Sequence, residues 1–137
     1  KDFHVWVGSS DGESQEGQVW EMASAACHYD VDNLTVLVDR NHIQIDGPTE
    51  EVMDQGDIGS KYAAFGWHVQ DVDGHNMEAL HTAFETAKSV KGQPQAIICH
   101  TTLGKGVSFM EGVAKWHGVA PNDEEFAAAV KELGWPE

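Results

Sequence analysis

The sequence predicts an α/β fold: a mostly parallel sheet with helices on both faces. Two observations carry that prediction. Short β-rich runs alternate with amphipathic stretches in the order β-α-β-α-β-α-β-α, the pattern that builds parallel sheets. A polar, glycine-bearing segment follows each β run, and such sheets bind ligands at the carboxyl ends of their strands. The 137 residues fit a single domain, residues 1–137. A chain of that size hides roughly two-thirds of its unfolded surface. Hydrophobic content of 41% with five tryptophans argues against disorder.

The elements follow in order. Lys1 and Asp2 lead straight into "FHVWV" (3–7), a β-rich run. Across 16–28, Val19, Met22, Ala23, Ala26 and Cys27 fall at i, i+3, i+4, i+7 and i+8, one helix face. "LTVLV" (34–38) has the continuous apolar character of a buried parallel strand. "RNHIQIDGP" (40–48) reads as a loop with an Asp-Gly-Pro stop. A short helix over 57–65 ends at Gly66, and "WHVQDV" (67–72) is the third strand. Asn76 caps a helix with Met77, Leu80, Phe84 and Ala87 on one face. "QAIICH" (95–100) is the fourth strand, followed by a glycine-bearing loop. Asn122 and Glu125 make a capping-box start for a last helix lined by Phe126, Ala129, Val130 and Leu133. The methionines and phenylalanines of the helices are expected in the core, and Trp6, Trp20 and Trp67 in core or interface.

Charge narrows the partners. Eight Lys and Arg stand against 23 Asp and Glu, a net charge of −15. Such a surface repels phosphate backbones, so nucleic acid is not an expected partner. Any anionic ligand needs a local cation or backbone N–H groups. No run approaches the ~18 apolar residues of a membrane span. Two cysteines, Cys27 and Cys99, lie in separate apolar segments without a CxxC pattern, which suits a reduced, cytoplasmic protein.

The rim holds the chemistry. Asp11 and Asn41 each follow a strand. If those strands are neighbours, a carboxylate and an amide oxygen face one another, donors suited to a hard cation such as Mg²⁺ or Ca²⁺. Gly12 lets a phosphate approach the backbone, with helix N–H groups behind it. The same residues also read as two plain turns, and GxGxxG is absent. His4, His28, His68, His75 and His81 lack ligand-like spacing, and no HExxH is present, which argues against zinc. His42 reads as a surface residue and His117 as a loop histidine. Lys105, between glycines, suits an anion or solvent equally.

"SDGESQEGQVWEMASAACHYDVDNLTVLVDRNHIQIDG" resembles the thiamine diphosphate motif of transketolases, and the likeness continues through "AFGWHVQDVDGHN", "GKGVSFME" and "KWHGVAPN". It covers nearly the whole chain and is nearest the separately encoded N-terminal subunit of split transketolases. The resemblance implies the C-terminal part of a thiamine-diphosphate-binding fold, incomplete at its N-terminal side. It also implies that Asp11, the Asn41 side chain and the Ile43 carbonyl hold Mg²⁺, with Ca²⁺ or Mn²⁺ as substitutes. Gly12 and Glu13 would lie at the diphosphate, with Ile43 and Ile45 near the thiazolium. Glu16 matches an acid at the subunit interface, and His117 a histidine placed for proton transfer.

The implied reaction moves a two-carbon ketol unit from a ketose phosphate to an aldose phosphate, as part of a homo- or hetero-oligomer. A C-terminal subunit or domain would supply the activating glutamate, so the chain alone is expected to be inactive. The alternatives are a relative of 1-deoxyxylulose-5-phosphate synthase, against which "QEG" and "WHGVAP" speak, and a non-catalytic truncated or assembly subunit. Ser10 replaces the motif's first glycine, at an expected cost of about 1–2 kcal/mol if that position needs a glycine conformation. Gly8 and Ser9 replace apolar residues, and His100 and Leu103 stand where a lysine is expected.

Overall fold

Strand alternation and helix caps define the elements of the computed structural model, which describes residues 3–135; Lys1 and Asp2 lie outside the described residues. The sheet strands are β1 (Val5–Ser10), β2 (Leu34–Arg40), β5 (His68–Asp73) and β6 (Gln95–His100), all parallel, in the order β1-β2-β6-β5. Two short strands, β3 (Ile43–Gln44) and β4 (Gly47–Pro48), pair antiparallel in the loop after β2. The helices are α1 (Gly17–His28), α2 (Thr49–Met53), α3 (Ile58–Ala64), α4 (Met77–Ser89) and α5 (Asp123–Glu132).

Helix boundaries have local causes. Asp57 accepts from Ser60 N at 3.0 Å, and Asn76 from Ala79 N at 3.1 Å. Asn122 and Glu125 form the expected reciprocal box at α5, with both bonds at 2.9 Å. Helix α1 stops where Asp30 turns left-handed (φ 50°) and Val31 N donates back to Ala26 O. Gly66 follows α3 at φ 94°, and a Cβ there would sit 2.7 Å from Cys27 Sγ, so both conformation and space demand glycine.

Helices cover both faces. On one face Val36 and Val38 of β2 and Ala96 and Ile98 of β6 pack against Ala23 and Ala26 of α1 and Ile58 and Tyr62 of α3. On the other, Ile97 and Cys99 pack against Ala83 and Ala87 of α4. Each such buried Val or Ile contributes about 1.5–3 kcal/mol. Alanines on α1 and α4 meet larger residues on the strands.

Three expectations need correction. The first strand runs three residues further than 3–7 suggests, because β1 stays in register with β2 through Ser10↔Asp39. The stretch 40–48 is not all loop: Arg40 closes β2, and the β3–β4 pair lies within it. Met77 and Phe126 are exposed (68% and 61%), although both share a helix face with buried alanines. Trp67 is buried and donates from Nε1 to Ala23 O at 2.8 Å. Trp6, by contrast, is partly exposed on β1. Among the described residues no helix is long and apolar enough to cross a membrane.

Candidate cofactor site

The register of β1 on β2 makes the rim. With Ser10 opposite Asp39, Asp11 leaves the sheet beside Arg40, the last residue of β2, and Asp11 N donates to Asp39 O at 3.3 Å. Period-two alternation puts Arg40 on the buried side with Val36 and Val38. Asp11 is fully buried. Its Oδ1 accepts from Gly12 N at 2.9 Å; its Oδ2 accepts from His42 N at 2.7 Å and from Arg40 Nη1 at 3.1 Å. Arg40 Nη2 also donates to Glu50 Oε1 at 2.9 Å, and His42 Nδ1 lies 2.5 Å from the same oxygen. The His42 hydrogen bond holds the Glu50 carboxyl below its ordinary value. His42 has φ 64°, in the left-handed region, while its N–H donates to Asp11.

Asn41 is held by a different set of partners. Its Nδ2 donates to Asp39 Oδ2 at 3.1 Å and its Oδ1 accepts from Ile43 N at 2.9 Å. Asp39 Oδ1 in turn accepts from the Thr101 hydroxyl. These bonds fix which end of the amide is the oxygen.

Ser10 is not strained. Among the described residues only Asp30 and His42 are non-glycine residues with positive φ. Ser10 instead caps the single turn Glu13–Gln15: Oγ accepts from Glu13 N at 3.2 Å, while Ser10 N donates to Glu13 Oε2 at 2.8 Å. The expected penalty therefore does not arise. Gly12 adopts ordinary helical angles (φ −64°), so its value lies in leaving the approach open rather than in conformation. The N–H groups of Glu13, Gln15 and Glu16 all bond within the turn.

Beside this cluster lies a cavity of about 300 Å³. Gly12, Glu13, Glu16, Ile43, Ile45 and His117 line it together, contributed by the turn after β1, the β3–β4 hairpin and the Ala114–His117 turn. Asp11 and Asn41 do not line it. Ile43 is buried, but Ile45 is 77% exposed. Sequence reasoning missed Arg40, and with it Gln44 and Asp46, which also line the cavity. An arginine at the inward position of an alternating strand was the available signal. Two other rim residues have partners of their own: His100 Nε2 lies 2.9 Å from Asp71 Oδ1, and Lys105 pairs with Glu111 at 3.6 Å.

The donor chemistry fits a hard cation. A carboxylate, an amide oxygen and a backbone carbonyl follow adjacent strand ends, the oxygen set that Mg²⁺ takes. Asp11 Oδ1 accepts one bond and keeps a second lone pair, whereas Oδ2 already has two donors. Among the described residues no group of three or more His, Cys, Asp or Glu side chains could hold a metal. A cation at this rim would therefore need amide and carbonyl oxygens beside Asp11.

A parallel α/β sheet with an acid-glycine turn, an asparagine loop and a cavity at its strand ends defines a cofactor-binding domain of the α/β class. The family model for the transketolase thiamine diphosphate binding domain matches residues 1–137, and the chain belongs to that family. It is 42% identical over 132 residues to one of the subunits of the apulose-4-phosphate transketolase of Phocaeicola vulgatus, covering 96% of this chain and 47% of that protein. It is 45% identical over 129 residues to a 6-deoxy-6-sulfo-D-fructose transketolase subunit of a Clostridium species, covering 94% and 47%. The chain thus spans about half the length of these curated relatives. The transketolase of Leishmania mexicana superposes with a TM-score of 0.90 at 35% identity, covering 97% of this chain and 20% of that one. The transketolase of Campylobacter jejuni gives 0.90 at 31% identity, covering 97% and 21%.

Proposed function

We propose that this chain is the thiamine diphosphate- and Mg²⁺-binding part of a cytoplasmic transketolase-type transferase. It would act as one domain over residues 1–137, the C-terminal part of the cofactor-binding domain. The observation that carries the reading is the cavity that gathers Gly12, Glu13, Glu16, Ile43, Ile45 and His117 beside the buried Asp11. When bound, thiamine diphosphate supplies the electron sink for cleaving and forming a carbon–carbon bond next to a carbonyl.

The chain's own residues bind and orient. Asp11, the Asn41 amide oxygen and the Ile43 carbonyl would hold the cation, Mg²⁺ or in its place Ca²⁺ or Mn²⁺. Gly12 N–H, which donates to Asp11 Oδ1, would be the donor offered to the diphosphate. Glu13 stays with the turn and holds its shape. Ile43 and Ile45 form the apolar wall, and the exposure of Ile45 calls for a second surface to exclude water. Glu16 faces that second surface. His117, on the cavity wall, holds or moves a proton at its imidazole.

The reading includes a C-terminal transketolase subunit or domain that supplies the activating glutamate, a homo- or hetero-oligomer such as a dimer, and sugar phosphate substrates of the pentose phosphate type. Calorimetric titration of the intact protein with thiamine diphosphate and Mg²⁺, with and without its partner subunit, tests it. Saturable, Mg²⁺-dependent binding is the expected result. No binding in either arrangement overturns the cofactor assignment. Binding with partner present but without ketol transfer points instead to an assembly role.

A further inference from the structure

We infer that Arg40 is a resident counter-cation of the candidate metal site, which sustains the buried Asp11 carboxylate and lowers its affinity for a divalent cation. The inference rests on the reading of Asp11 as a metal ligand. Asp11 is wholly buried, and a buried carboxylate without a partner is strongly destabilising. The Arg40 side chain is only 9% exposed and reaches Asp11 Oδ2 at 3.1 Å. Its other nitrogen is tied to Glu50, whose side chain is 41% exposed and therefore partly screened by water. The buried end of this pair of contacts is Asp11, where the guanidinium charge is least screened.

Geometry separates the two cations without removing their repulsion. Arg40 and His42 N fill Oδ2, so a metal would be left the free lone pair on Oδ1. A guanidinium and a divalent ion then share one carboxylate in a poorly hydrated place, where like charges repel strongly. Removing Arg40 acts twice in the same direction. It removes the repulsion, and it leaves Asp11 with the metal as its only full counter-charge. The fold then becomes weaker without metal, while the metal binds more tightly. A residue that merely packs would weaken the fold and leave metal affinity unchanged or lower.

The test uses the intact protein together with its partner subunit. Mn²⁺ is the probe, read by the electron paramagnetic resonance of the free ion. Thermal unfolding is measured with and without Mg²⁺. Arg40→Met is expected to bind Mn²⁺ roughly 3- to 10-fold more tightly, the effect of a partly screened unit charge. Its unfolding temperature without metal is expected to fall, and its rise on adding Mg²⁺ to exceed that of the wild type. Arg40→Lys, which keeps the charge, is expected to stay near wild-type affinity. Glu50→Gln, which leaves Arg40 less compensated, is expected to bind Mn²⁺ more weakly. It remains informative if Arg40→Met does not fold. Equal or weaker binding by Arg40→Met, or equal or tighter binding by Glu50→Gln, overturns the inference. A wild-type protein that takes up no Mn²⁺ overturns the metal site itself, which is a separate failure.

Discussion

Ser10 and Tyr62 show how much depends on where a single polar atom points. Ser10 Oγ satisfies Glu13 N at the start of a turn. Ser10→Ala is therefore expected to lower stability by about 1 kcal/mol, the usual loss at such a cap, in urea unfolding. Ser10→Gly is expected to bring no gain in cofactor affinity, read by the same titration. Tyr62 is the opposite case: its hydroxyl is buried without a hydrogen-bond partner among the described residues, and burial pushes its pKa up to about 12. Deleting an unsatisfied polar atom removes its desolvation cost. Tyr62→Phe is expected to leave the urea midpoint unchanged or raised; a clear fall would contradict it. The placement of Asp11, Gly12 and Asn41 just past two strand ends was legible, since alternation of strand and helix fixes where strands stop. The Ser10 misreading came from treating the family's glycine as a conformational need, when the backbone there is ordinary strand. Arg40 was passed over because the stretch was read as a loop from its first residue, which hid its place in the strand alternation.

At the scale of elements, caps and periods were legible and coverage was not. The helix starts at Asp57, Asn76 and Asn122 stand where the sequence places them, since a cap depends on a few neighbouring residues. Whether a helix face is covered depends on distant chain, and so Met77 and Phe126 were misplaced. The α5 cap has a pH signature. Asn122 N–H holds the Glu125 carboxyl below its ordinary 4.5. A carboxylate with a depressed folded value adds stability above its unfolded value and loses it as pH falls through the folded one. The stability gap between wild type and Glu125→Gln, read as urea midpoints, is expected at neutral pH and to close well below pH 4.5. A gap that persists at low pH would locate the effect elsewhere.

For the whole molecule, the arrangement of the strands matters more than any one of them. Among the described residues β1 pairs with β2 alone, and Val5, Trp6 and Val7 of this edge are each between 37% and 39% exposed. Open apolar edges recruit other strands, and a lysine there discourages it. Val5→Lys is expected to reduce self-association, read by sedimentation velocity over a range of protein concentration, with the thermal transition nearly unchanged. The order β1-β2-β6-β5 was not legible from alternation alone, because βαβ patterns fix the direction of strands and not their sequence across the sheet. That order also sets a timetable for synthesis. The strand that seals the inner edge of β2 is β6, the last of the four to leave the ribosome, and Thr101 just beyond it completes the bonds to Asp39 and to Arg40 O. Until then the nascent chain carries β2 with a bare inner edge. The pairing of β6 is thus a race against the next chain on the same message.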